Sequence, residues 1–326
     1  MGKVMTIVNN ILKSIHRLQN SDTNKLNILT MCKNNEKYIA LLCQTLHNFY
    51  MPHNHTWNNT IEKRPSNIYT LSPTPHFEVF DYIICYDRAE QYEEALQISR
   101  NLHVPIILID MCSKPLIRAA HVFEIMNPID LNTLDRNVAL QVYSNRHIEM
   151  SWRNNDKLSI TIPIGIDINK FKNQQIDETL ISLDNNTIPQ VGAQIAAEIK
   201  HDYPILPTDH DNHQDITLNK TKYFINTYKM ITVKTLEAMA AGNVVISLKN
   251  TDTENFIQHQ ETGILIDNIE QINDVIKSLE KSNTIRTKIS QQARQKIVLE
   301  HSMENFLNKW SGAFDMIRST FFNSPI

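Results

Sequence analysis

Glycine is scarce in this chain, with only six in 326 residues. That excludes collagen-like and Gly-rich linker architectures, and it makes each glycine a position with a reason. Cysteine is scarce as well. Cys32, Cys43, Cys85 and Cys112 form no close pair and no metal spacing. A reduced, cytoplasmic chain fits this better than a disulfide scaffold. No apolar run approaches the roughly 18 residues a membrane span needs, and the first residues carry no secretory core segment. Neither sign of charge dominates. The formal net charge is −3, so no global field draws the chain to nucleic acid or an anionic membrane.

What is present is a soluble-globular composition, 41% hydrophobic and 21% charged. The chain is long enough for two domains of ordinary size. Asn, Ile and Lys are abundant, as in A/T-rich and viral genomes. Val4, Ile7, Val8, Ile11, Leu12, Ile15 and Leu18 fall on one face of a helix over 3–19. That face would dock on its own fold or on a second copy of the chain as a dimer. A membrane-surface helix is the alternative.

From residue 26 onward, strand and helix patterns alternate. Strands are expected at 26–30, 67–71, 82–86, 106–110, 138–143 and 158–162, with helices at 35–49 and 88–102 and an irregular loop at 51–66. A second set begins near Gly165. Its strands are expected at 179–183, 203–206, 223–226, 244–248 and 263–267, and its helices at 190–199, 252–258, 270–280, 284–299 and 302–319. Alternation of this kind implies an α/β fold with parallel sheets and helices on both faces. Two doubly wound, Rossmann-like halves with a cleft between them are the natural architecture, and ligands bind such folds at the carboxyl ends of the strands.

The segment Val233-Lys-Thr-Leu-Glu-Ala-Met-Ala-Ala-Gly242 carries the most chemistry. It reads as a short helix with Leu236, Met239 and Ala240 on one face, stopped by a left-handed Gly242. The apolar run Val244–Leu248 follows as a buried parallel strand. Lys229, Thr232, Lys234 and Thr235 surround the helix start, where free amides favour an anion. A bound phosphate, and hence a nucleotide-derived donor, is the expectation.

Four segments, in order, resemble retaining nucleotide-sugar glycosyltransferases of the GT-B fold. Ile162-Pro-Ile-Gly-Ile-Asp-Ile-Asn-Lys-Phe171 is similar to the family's domain-joining element. Leu236-Glu-Ala-Met-Ala-Ala-Gly-Asn-Val-Val245 is similar to its donor helix. Thr253-Glu-Asn-Phe-Ile-Gln-His-Gln-Glu-Thr-Gly-Ile-Leu-Ile266 is similar to a third element. Ala293 through Phe306 is similar to the closing helix. The likeness covers about 162–320. It implies an N-terminal acceptor-side domain over 1–164, a donor domain over 165–300 and a C-terminal helix over 301–326 that crosses back. It also implies a metal-independent enzyme without a cofactor.

Within that resemblance Glu237 matches the second glutamate of the family's Glu-x7-Glu pair, the acceptor of ribose hydroxyl bonds. The first glutamate is replaced by Lys229. No Arg or Lys follows the first strand of the second half, where Ser182 through Thr187 stand, and Met111 occupies the place of a first-domain histidine. Lys229 and Lys234 are expected to hold the leaving diphosphate instead, with amides near Thr232. The candidate site thus has Lys229, Glu237 and Asp87 in catalytic roles. Gly165, Asp209, Thr232, Lys234, Thr235 and Glu237 are expected around the donor. Asn34, Arg88, Asp110 and Ser113 lie on the acceptor side.

The implied reaction moves a sugar from a nucleotide donor, UDP-linked by preference, to an acceptor hydroxyl with retention. The acceptor would be a glycan, a lipid-linked glycan or a hydroxymethylated DNA base. Alternatives are a glycosyltransferase-like binding protein without turnover and a GT-B epimerase of nucleotide sugars. Other constellations read as background. Asp209-His210-Asp211 sits in a polar run and reads as a loop rather than a metal site. His53 and His55, with His210 and His213, lack a third ligand at suitable spacing. Asp87 either caps the helix that follows it or faces the acceptor, and Asn34, Asn35 and Glu36 stand in the same relation to the first strand.

Overall fold

The computed structural model describes residues 25–31, 36–72, 80–86, 88–110, 134–151, 157–171, 179–183, 199, 203–207, 217–228 and 230–322. The expected leading helix at 3–19 and the expected helix at 190–199 fall outside these residues, apart from Ile199. The chain forms two compact units, Met1–Pro163 with Leu307–Ile326, and Ile164–Phe306.

Among the described residues, the first unit holds seven strands. They are β1 (Asn27–Thr30), β2 (Asn48–Met51), β3 (Ile68–Thr70), β4 (Tyr82–Tyr86), β5 (Ile106–Asp110), β6 (Val138–Tyr143) and β7 (Ser159–Thr161). All pair in parallel, in the order β3-β2-β1-β4-β5-β6-β7. The helices are α1 (Glu36–Leu42), α2 (Ala89–Leu102) and α3 (Arg146–Ser151). The strands read as continuous apolar runs because both sheet faces are covered: β4 and β5 are buried at every position. On the face carrying Tyr82 and Tyr86, Tyr38 of α1 meets Tyr86 edge-on at 5.8 Å, and Phe314 stacks on Tyr82 at 5.7 Å. Tyr82 also donates its hydroxyl to Phe314 O at 3.2 Å. On the opposite face α2 packs against β4 and β5, with Tyr92 near Cys85.

One expected element is corrected. The helix over 35–49 stops at Leu42, passes through a 3-10 turn (Cys43–Thr45), and gives way to strand β2. The stop is Leu46, which takes a left-handed φ of 64° without being glycine. Beyond it, Phe49 and Tyr50 pair with β1, as aromatic residues favour. Cys43 therefore lies in that turn rather than in the helix. Cys43 and Cys85 are buried.

The second unit contains β8 (Ile181–Leu183), β9 (Ile205–Pro207), β10 (Tyr223–Asn226), β11 (Val244–Leu248) and β12 (Ile264–Ile266). These also pair in parallel, in the order β12-β11-β10-β8-β9. The helices are α4 (Val233–Ala240), α5 (Thr251–Phe256), α6 (Gln271–Lys281) and α7 (Asn283–Glu300). The last helix, α8 (Met303–Phe322), starts in this unit and belongs to the first unit from Leu307 onward. Ile181, Tyr223, Ile225, Val244 and Ile246 form a core with Ile272, Ile276 and Ile289 of α6 and α7. At the amino edge of this sheet Lys222, Glu280, Thr179 and Tyr223 close a polar cluster. Glu280 accepts from Thr179 at 2.6 Å, Tyr223 at 2.7 Å and Lys222 at 3.3 Å.

Candidate active site

Strand order sets where a ligand binds. In the second unit the chain leaves β8 outward to β9, then returns past β8 to β10 and continues the other way. The switch point therefore lies between the carboxyl ends of β8 and β10. Helix α4 starts seven positions beyond the end of β10, at this place.

The turn between β10 and α4 is shaped by Asn226, which is buried. Its amide nitrogen donates to Tyr228 O at 3.3 Å, Met230 O at 3.1 Å and Ser247 Oγ at 3.1 Å. Its carbonyl oxygen accepts from Tyr228 N at 3.2 Å. The expectations from sequence did not include Asn226. An Asx residue that ends a strand and bonds the backbone two positions on is the signal that marks it.

Thr232 then caps the helix in an extended conformation. Its hydroxyl accepts from Thr235 N at 3.2 Å and lies 3.0 Å from Thr235 Oγ1. Thr235 is fully enclosed, so its hydroxyl works inside the cap. The amide of Val233 has no partner among the described residues, and unpaired amides at a helix start favour negative charge.

Helix α4 is buried from Lys234 to Ala240, on more than the one face expected. Glu237 is 5% exposed and Lys234 is 9% exposed. An ammonium and a carboxylate three residues apart are neighbours on a helix surface. Enclosing two such groups costs several kcal/mol each unless partners compensate, so a pair of idle surface charges is not what stands here. The far end of α4 is fastened. Gly242 takes φ 82°, and the amides of Gly242 and Asn243 bond Met239 O and Ala238 O. Arg294 of α7 donates to Ala240 O and to Phe171 O, and Ser290 donates to Gly242 O.

The other expected site residues divide. Gly165 is buried against the start of α8. A Cβ there would come 2.6 Å from Met303 Sδ and 2.9 Å from Phe306 Cβ, so the glycine answers to packing. In the first unit Arg88 holds the cap position of α2 and makes no side-chain cap bond. Its carbonyl accepts from Tyr92 N at 2.9 Å. Asp110 ends β5, fully buried. Burial, and then the charges of Asp110 and Glu149, push the Tyr143 phenol up. Lys229, Asp87, Asp209, Asn34 and Ser113 lie outside the described residues, as do His210 and His213.

His55 pairs with Glu94 at 3.0 Å. No group of three His, Cys, Asp or Glu residues suited to a metal occurs among the described residues. No helix among them is long and apolar enough to cross a membrane.

Residues 211–311 match a family model described as glycosyl transferase-like. No curated protein matches the sequence. Among solved structures, the chain is similar to HepE of Anabaena in complex with UDP and glucose. The TM-score is 0.69 at 11% identity, covering 89% of this chain and all of that one. It is also similar to sucrose-phosphate synthase from Thermosynechococcus elongatus, with TM-score 0.67 at 10% identity, 91% of this chain and all of that one. A glycosyltransferase from Rickettsia africae gives TM-score 0.58 at 13% identity, 90% of this chain and 99% of that one. The fold is that of the GT-B glycosyltransferases, with two Rossmann-like domains.

Proposed function

We propose that this chain is a glycosyltransferase that moves a sugar from a UDP-linked donor to an acceptor hydroxyl with retention. The observation that carries the reading is α4. Its amino end stands at the switch point of the second sheet, with Lys234 and Glu237 both more than nine-tenths enclosed beside it.

In this reading the amides at Thr232 and Val233 and the ammonium groups of Lys234 and Lys229 receive the diphosphate. Glu237, an acceptor-only carboxylate, takes the ribose hydroxyls. The bond from the anomeric carbon to the phosphate oxygen breaks as the acceptor oxygen bonds the same carbon on the same face. The acceptor proton passes to the departing diphosphate, so no protein base and no metal enter. Asn34, Asp87, Arg88, Asp110 and Ser113 serve the acceptor. That acceptor is a glycan, a lipid-linked glycan or a hydroxymethylated base in DNA, met in the cytoplasm.

Calorimetry of the full chain with a panel of nucleotide sugars tests the donor half. A UDP-sugar should bind, and Glu237→Ala should weaken it by about tenfold or more, the loss of a charge-assisted hydrogen bond. Absence of binding by every nucleotide sugar, or an unchanged affinity in the variant, would reject the assignment. Anomeric configuration of the product by NMR tests retention. Lys229, where the family carries a glutamate, favours a second reading, a protein that binds the donor without turnover. Binding with neither transfer nor hydrolysis selects it.

A further inference from the structure

The first unit carries a buried acid outside the groups used so far. Glu36 opens α1 and is 2% exposed, with Oε2 fully enclosed and no hydrogen-bond partner among the described residues. Thr30, the last residue of β1, is 0% exposed, and its Oγ1 likewise has none. Two unsatisfied polar groups inside one layer are costly, and native folds keep few of them. A carboxylate in such a place costs most of all.

Their location is specific. The chain runs from β1 outward to β2 and β3, then returns to β4 on the other side of β1. The switch point of this sheet therefore lies between the carboxyl ends of β1 and β4, where open α/β sheets receive ligands. Thr30 stands at that end of β1 and pairs with Ile84. By alternation its side chain shares a face with Ile84 and Tyr86. Tyr38 of α1 meets Tyr86 on the same face, so the helix bearing Glu36 covers the side to which Thr30 points.

We propose that Glu36, with Thr30, binds vicinal hydroxyl groups of the acceptor, an inference that rests on the glycosyl-transfer reading above. A carboxylate only accepts, and it takes two neighbouring hydroxyls with its two oxygens. A threonine hydroxyl donates to or accepts from a third. That set fits a sugar or another polyol, and it does not fit an anion. The groups involved are the carboxylate and the strand-end hydroxyl rather than the amides of the short helix. The buried, unpartnered carboxyl oxygen is a cost to the unliganded fold that the ligand's hydroxyls relieve.

The test uses the full chain, its Glu36→Gln and Thr30→Val variants, and glucose, maltose and glycerol as hydroxyl probes. Calorimetric affinity and urea midpoint are the readouts, with UDP as an independent probe of the second unit. Wild type should bind at least one hydroxyl probe. Glu36→Gln should weaken that binding about tenfold or more, leave UDP binding unchanged, and raise the urea midpoint without ligand. Thr30→Val should weaken the same probe to a lesser degree. Equal probe affinity in wild type and Glu36→Gln would overturn the proposal, as would no response of wild type to any hydroxyl probe at their solubility limits. A lowered midpoint in Glu36→Gln would also overturn it, by giving Glu36 a structural role. Failure of UDP to bind wild type strikes the glycosyl-transfer reading, which is a separate and distinguishable result.

Discussion

Replacing Gly165 by alanine separates packing from ligand contact at a position that the family resemblance assigns to the donor. The added Cβ would sit 2.6 Å from Met303 Sδ, 2.9 Å from Phe306 Cβ and 3.0 Å from Phe306 Cγ. Ordinary carbon contacts begin at roughly 3.5 Å. The sulfur can swing aside, because methionine has several soft torsions. Phe306 Cβ cannot, since it is fixed to the α8 backbone. Relief would require residues 164–166 to retreat, yet they are tied to His301, between α7 and α8: Ile166 N bonds His301 O at 2.7 Å, and His301 Nδ1 meets Ile164 O at 3.0 Å. Overpacking of this kind costs about 1–3 kcal/mol. Restricting the unfolded chain returns about 0.4–1 kcal/mol. Gly165→Ala should therefore destabilise by about 0.5–2 kcal/mol, read as a lower urea midpoint at unchanged slope. Met303→Ala in the same chain should restore only a minor part. Nucleotide affinity should stay within about twofold of wild type, since 1.4 kcal/mol is tenfold. A neutral or stabilising alanine, or complete rescue by Met303→Ala, would refute the geometry.

Two further outcomes follow from the second unit. Thr232→Ala removes the cap on Thr235 N and should cost about 1 kcal/mol in a denaturation series, with Thr232→Ser recovering most of it; equal midpoints in all three chains would remove Thr232 from the cap. Burial works upward on Glu280, but hydrogen bonds from Thr179 and Tyr223 and the charge of Lys222 outweigh it and hold the carboxyl below its ordinary value of 4.5. A lowered folded-state value makes the contribution present above the unfolded value and lost as pH falls through the folded one. Glu280→Gln should thus be destabilised at neutral pH, with the gap to wild type closing below pH 4.5; a gap independent of pH would contradict the cluster.

Much of this architecture was legible in the residues, for identifiable reasons. Strands such as Tyr82–Tyr86 and Ile106–Ile109 are unbroken runs of apolar and aromatic residues, because a sheet covered on both faces demands it. Gly242 announced the end of α4, and φ 82° agrees. Leu46 gave no such notice. A left-handed leucine looks like any leucine, so β2 was hidden in the tail of a helix. The site divides in the same way. Glu237 was singled out through its flanking pattern and is buried, whereas the Arg294 bond to Ala240 O spans 54 positions, and no local spacing reports it. The burial of Glu36 is tertiary too: residue type alone describes a solvated helix start.

The fastening of α4 bears on how this protein could be retargeted. With Lys234 to Ala240 buried and the far end held by Arg294 and Ser290, the helix has little freedom to change shape. Under the proposed glycosyl transfer, variation in donor preference falls to the segment between Asn226 and α4 rather than to the helix itself. A library focused on that segment should yield altered selectivity from folded clones, and one focused on the helix should yield mostly aggregates.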